Sequence, residues 1–166
     1  MKTIIVYHSF SGVTRSVAER VRAASSGDLV EVRPVQRYTK VTAYTLGCLR
    51  ARGGKPDAVE PSTIDVSGYD LIVLGTPVWA WRPSPVANGA VEALVGAEGK
   101  SAVIFATCGS QSGEALPQLR DALAAKGVSV IGEFSFSAPE LRDPRKVEAL
   151  IARVTEGDAA RTAVGT

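Results

Sequence analysis

Hydrophobic runs and amphipathic stripes alternate along this chain. Ile4-Ile5-Val6-Tyr7, Tyr69–Leu74 and Lys100–Thr107 are short, nearly continuous apolar runs rich in β-branched residues. Such runs read as strands buried on both faces. Asp28–Val35 and Val128–Ser137 instead alternate polar and apolar positions, the pattern of strands with one face toward solvent. Pro34, which cannot donate to a ladder, also suits an edge. Between the strands lie helical stripes: Val13, Val17 and Val21; Val91, Leu94 and Val95; Leu116, Leu119 and Leu123; Val147, Leu150, Ile151 and Val154. Ser84-Pro85 and Asp143-Pro144 have the form of an N-cap followed by proline at the first helical position.

Alternation of strand and helix through five repeats predicts a doubly wound α/β domain, a parallel sheet of five strands with helices on both faces. The two alternating strands, second and fifth, belong at the edges. Order 2-1-3-4-5 puts them there, whereas 3-2-1-4-5 would bury the polar second strand. The switch point then falls between strands 1 and 3, and ligands of such sheets bind beyond the strand C-termini at that point. Three loops converge there, those after strands 1, 3 and 4.

The first loop carries chemistry. Ser9-Phe10-Ser11-Gly12-Val13-Thr14 leads into a helix N-terminus, where unpaired N–H groups and the helix dipole favour an anion. The hydroxyls of Ser9, Ser11 and Thr14 can donate to it, and a small phosphate fits such a cradle. Without a Gly-x-x-x-x-Gly-Lys pattern the loop is no triphosphate site, and without Gly-x-Gly-x-x-Gly it is no dinucleotide fingerprint. On its own the loop reads equally well as a helix start capped by hydroxyls.

Composition narrows the classes. The chain has 166 residues, 45% hydrophobic and 22% charged, the profile of one soluble domain. There is no basic leader with a long apolar stretch and no run of membrane-spanning length, so no membrane and a cytoplasmic home are expected. Two cysteines and one histidine offer neither a disulfide framework nor metal-ligand spacing, so no metal is expected. A formal charge of +2 is too small to imply nucleic-acid binding. It is unevenly spread, however. From Val32 to Pro56 there is no acidic residue, while Arg33, Arg37, Lys40, Arg50, Arg52 and Lys55 lie within it. This partly helical segment reads as a solvated basic face or as a docking surface for an acidic partner.

At this point the sequence resembles the flavodoxin-like family. Ser9-Phe10-Ser11-Gly12-Val13-Thr14 matches the family's phosphate loop, and Gly75-Thr76-Pro77-Val78-Trp79 and Thr107-Cys108-Gly109 resemble the two loops that hold its flavin ring. The resemblance implies a flavodoxin-like domain over residues 1–156, leaving 157–166 as a frayed tail. It implies FMN as cofactor, its phosphate on Ser9, Phe10, Ser11, Gly12, Val13 and Thr14. Pro77, Val78, Trp79, Ala80 and Trp81 would flank the ring, with Thr107, Cys108, Gly109 and Ser110 along its other edge.

The residues suit that guest on their own chemistry. An isoalloxazine needs an aromatic plane and backbone groups along its rim. Trp79 and Trp81 offer planes, and Arg82 a cation for the edge that turns negative on reduction. His8 is assigned no catalytic role, and Cys108 reads as a small packing residue. Two departures from typical flavodoxin carriers stand out. The chain is slightly basic rather than strongly acidic, and Cys108–Glu114 has no aromatic residue to cover the outer flavin face. The reading is an FMN-dependent electron-transfer protein served by a redox partner protein. An NAD(P)H-dependent FMN reductase of quinones or similar acceptors is the alternative, and a binding module with no flavin is the reading outside this class.

Overall fold

A computed structural model describes residues 1–162. Its centre is a parallel sheet of strands β1 (Thr3–Tyr7), β2 (Asp28–Glu31), β3 (Leu71–Trp79), β4 (Ser101–Cys108) and β5 (Ser129–Ser137). The spatial order is β2-β1-β3-β4-β5, as the hydrophobic pattern requires. Ile5 sits between Leu29 and Val73 in register, and Val73 between Ile5 and Val103. Ile72 and Val103 are fully buried in the middle, while β2 and β5 keep partly exposed faces.

Side chains of successive strand residues point to opposite faces, so each run feeds two cores. Ile4, Val6, Ile72, Leu74 and Ile104 pack with helices α2 (Pro85–Ala93) and α3 (Ala115–Ala125). Ile5, Tyr7, Val73, Val103 and Phe105 pack with helices α1 (Val13–Ser25) and α4 (Glu148–Thr162). Helices therefore cover both faces, and the strand C-termini form one rim.

Several boundaries differ from the sequence reading. The second strand stops at Glu31; Val32 still donates to Tyr7, and then Arg33–Pro34 pair antiparallel with Val59–Glu60. Proline lacks the N–H to continue the ladder, so the chain bends away. Leu94 and Val95 are not helical but pair with Ile64 and Asp65. Asp143-Pro144 opens a 3-10 turn, Pro144–Val147, that precedes α4. That helix continues through Gly157 to Thr162, and the remaining tail, 163–166, lies outside the described residues.

The largest difference is in β3, which continues through Gly75-Thr76-Pro77-Val78-Trp79 where the sequence suggested a loop. Val78 and Trp79 then pair antiparallel with Pro83 and Arg82, so Ala80 and Trp81 make a two-residue hairpin turn. Both have positive φ, 50° and 62°, as the favoured hairpin turns demand although neither is glycine. The turn is held from outside. Glu114 N–H donates to the Trp81 carbonyl at 2.9 Å, and a Cβ on Gly113 would come within 2.5 Å of the Trp81 Cβ. The loop after β4 thus clamps the turn after β3.

Candidate functional site

The loop after β1 opens on His8, which is buried, with its Nδ1 and the Ser84 hydroxyl sharing a hydrogen bond of 2.8 Å. Ser84 caps α2, its Oγ accepting from Ala87 N–H at 3.1 Å. Burial lowers the His8 pKa to about 4, against a small opposing pull from Glu31. The ring is therefore neutral near pH 7 and joins the first loop to the start of α2. Its unfolded pKa is about 6.5, so the unfolded chain binds more protons between these values and stability rises with pH there. The contribution is full above about pH 6.5 and lost toward pH 4, in all roughly 3 kcal/mol. Urea midpoints between pH 4 and 7 are expected to show this slope, flattened in His8→Gln; parallel slopes would refute it.

Next comes the phosphate-loop sequence. Ser9 Oγ accepts from Gly12 N–H at 3.1 Å and Arg15 N–H at 3.2 Å, so this hydroxyl holds the loop's shape from within. Gly12 has φ 93° and precedes α1; that left-handed conformation is open to glycine without steric cost. The N–H groups of Val13 and Thr14, in the first helical turn, have no intrahelical acceptor. Thr14 is buried, and its hydroxyl and that of Thr107 share a hydrogen bond of 2.8 Å. It thus ties the first loop to the end of β4. Arg15 is committed to an ion pair with Glu31. Burial opposes charge on Glu31, but hydrogen bonds from Arg33 and Arg15 outweigh it and hold the carboxyl below its usual range.

A cavity of about 530 Å³ opens at this rim. Phe10, Ser11 and Val13 border it from the first loop; Pro77, Val78, Trp79 and Ala80 from the end of β3; Thr107, Cys108 and Gly109 from the end of β4. The three segments singled out in the sequence do meet around one space. Ser9, Gly12 and Thr14 stand behind the lining as its frame. Trp81 and Ser110 border a smaller neighbouring space of about 220 Å³. Arg82 lies in the hairpin and borders neither. Cys108 directs its S–H to the Phe136 carbonyl at 3.6 Å, and burial pushes its pKa up, so the thiol stays protonated.

Trp79 borders this cavity but is largely enclosed by other side chains. It is 8% exposed and meets His8, Phe10 and Tyr38 edge-on, with centroids 5.1–5.7 Å away. Its indole is seated beneath the helical segment 40–52, against Ala43 and Ala51. A Cβ on Gly47 would come within 2.5 Å of the indole. Trp79 is the peg on which that segment rests.

The segment supplies a fourth wall: Tyr44, the ring in this basic stretch that could fold over a flavin face, together with Lys40, Ala43 and Cys48, which sequence reasoning did not place at the site, and Ala138 beyond β5. Tyr44 is 80% exposed, so a large ring stands free beside the cavity. Among the described residues no carboxylate borders the space, and Lys40 is the one charged side chain there. Backbone donors, a serine hydroxyl, apolar walls and no anionic competitor make a donor set suited to a flat phosphorylated molecule. The volume lies within the usual range for small-molecule sites, about 300–1,000 Å³.

Fold and rim together define a flavodoxin-type nucleotide-binding domain. A family model described as Flavodoxin matches residues 2–128, and the chain belongs to the flavodoxin family. No curated protein sequence matches it. Among solved structures it is similar to a flavoprotein of Bacteroides uniformis, at 24% identity and a TM-score of 0.73, covering 82% of this chain and 90% of that one. A Lactobacillus acidophilus flavoprotein in complex with FMN is 23% identical, with a TM-score of 0.67 and coverage of 81% and 92%. An NADH:FMN oxidoreductase in its apo form is 18% identical, with a TM-score of 0.63 and coverage of 94% and 88%. Family and fold point to FMN as the cofactor.

Proposed function

We propose that this protein binds FMN in the cavity at the β1–β3 switch point and transfers electrons through it. The observation that carries this reading is the convergence of the loop at 9–14, the β3 end and the β4 end on one acid-free space. FMN, when bound, supplies chemistry that accepts and donates electrons singly or as a hydride. The chain's own part is to hold and tune it. The Ser11 hydroxyl and the N–H groups of Val13 and Thr14 would hold the phosphate, on a loop framed by Ser9 and Gly12. Pro77–Ala80 and Thr107–Gly109 would contact the ring through backbone groups. Lys40 would supply positive charge in the cavity, which favours a cofactor that gains negative charge on reduction.

The carrier reading leads because Tyr44 stands where it can cover the outer face of the ring. The alternative, NAD(P)H-dependent reduction of quinones or similar acceptors, is supported by the loop after β4, which brings no ring of its own. A visible spectrum of protein reconstituted with FMN tests the cofactor, and stoichiometric oxidised-flavin bands are expected. Steady-state NADPH oxidation with a quinone then separates the two roles. The carrier shows none above free FMN, whereas saturable turnover assigns the reductase.

Tyr44→Ala is a sharper probe of the same point. An aromatic pair adds roughly 0.5–1.5 kcal/mol beyond its burial, so FMN affinity is expected to fall about two- to tenfold. The emission of bound flavin should rise as a quenching ring is removed. Unchanged affinity and emission would place Tyr44 away from the ring.

A further inference from the structure

The segment 40–52 has two faces of opposite character. Ala43, Gly47 and Ala51 recur every four residues and are buried on Trp79. Val41, Thr45 and Leu49 recur at the same interval two residues out of phase, and all three are exposed. Val41 is 72% exposed and Leu49 67%, with Leu46 beside them at 51%. Aliphatic side chains projecting that far from one short helical segment mark a contact surface rather than scattered surface residues.

Charge narrows what can sit there. Of the cations between Val32 and Pro56, Arg33 is paired with Glu31 and Arg50 with Asp57. Arg37, Lys40, Arg52 and Lys55 have no ion pair among the described residues. A second copy pairing through the same face would oppose two sets of unmatched cations. A protein partner would need a socket shaped to side chains that project from a convex surface. A lipid surface needs none: its acyl boundary accepts protruding aliphatic groups, and anionic headgroups match the flanking lysines and arginines.

We propose that the outer face of segment 40–52, with Val41 and Leu49 at its centre and Arg37, Arg52 and Lys55 around them, docks on an anionic lipid surface. No helix among the described residues is long and apolar enough to cross a membrane, so the contact is peripheral. The expectation of no membrane rested on spanning length and does not bear on a surface contact. The same segment walls the cavity through Lys40, Ala43, Tyr44 and Cys48. Docking therefore brings that wall beside the lipid, within reach of an apolar electron acceptor dissolved in it. This consequence rests on the flavin reading; the docking itself does not.

The test is co-sedimentation of the full chain, reconstituted with FMN, with vesicles of phosphatidylcholine alone or mixed with phosphatidylglycerol. Binding is expected to the mixed vesicles only, weakening as salt rises. Each cation near such a surface contributes about fivefold, so Arg52→Glu with Lys55→Glu should lower partitioning by twenty-five-fold or more. Val41→Ser with Leu49→Ser should lower it about tenfold. Both double variants lie outside the cavity lining and should keep wild-type FMN affinity, which reports their fold. Absence of binding to mixed vesicles overturns the proposal, as does binding that neither double variant weakens. Salt-sensitive capture on immobilised poly-glutamate without vesicle binding overturns it in favour of an acidic protein surface. Loss of the FMN spectrum with vesicle binding intact would overturn the flavin reading alone.

Discussion

Replacing Ser9 and Thr14 together by alanine is expected to lower FMN affinity by on the order of a hundredfold or more, read by flavin fluorescence titration. Leaving a buried donor or acceptor without its partner costs about 1–3 kcal/mol, and the pair removes two hydroxyls that hold the phosphate site in shape. The structure changes how the loss arises. Ser9 Oγ accepts from the N–H groups of Gly12 and Arg15, so its removal frees two backbone donors and loosens the cradle itself. Thr14 shares its hydroxyl hydrogen bond with Thr107, so its removal uncouples the phosphate loop from the β4 end. Two companions separate these effects. Thr14→Ser keeps the hydroxyl and should restore most of the affinity, whereas Thr107→Ala should reproduce part of the Thr14→Ala loss from the far side of the bond. Unchanged affinity in the double variant would reduce the loop to a helix cap.

The parts of this molecule that depend on short-range pattern were legible in its sequence. Ile4–Tyr7, Leu71–Leu74 and Ala102–Ala106 are continuous because both their faces are covered, and the same fact puts them at the centre of the sheet. Phe134 and Phe136 alternate with serines because β5 has one partly open face. The phosphate-loop sequence could be placed because a strand, a glycine and a helix start are all local. What could not be read depends on partners distant in sequence. Pro77 within a Gly-Thr-Pro run looks like a loop, yet it stays in β3 because its neighbour Thr107 belongs to a central strand that extends equally far. Most of the fourth wall escaped for another reason. Its buried face is Ala43, Gly47 and Ala51, and small residues leave no hydrophobic stripe. That spacing of small residues at every fourth position was the available signal, and its meaning depended on a large ring arriving from Trp79.

Trp79→Ala is expected to be among the most damaging single substitutions in the chain, and to act on the site at a distance. Truncating a buried tryptophan costs about 3–5 kcal/mol. Here the lost indole leaves Tyr38, Phe10 and His8 without their edge contacts and empties the seat of segment 40–52. Two anchors of the segment would remain, the Tyr38 hydroxyl donating to Asp57 at 2.5 Å and the Arg50–Asp57 ion pair at 2.7 Å. Partial detachment is therefore the expected outcome rather than global unfolding. Trypsin should cut faster at Arg50 or Arg52, and the denaturation midpoint should fall. FMN affinity should drop further than in Tyr44→Ala, because the whole wall is loosened. Gly47→Ala approaches the same contact from the other side. It keeps the indole but forces a methyl to within 2.5 Å of it, and overpacking of this kind costs about 1–3 kcal/mol. Trp81→Ala is the control, since Trp81 is 58% exposed and surface substitutions usually stay within about 0.5 kcal/mol. Equal losses in the two tryptophan variants would show that Trp79 is no peg. A large loss for Trp79 with a small one for Trp81 assigns the indole to holding the wall in place.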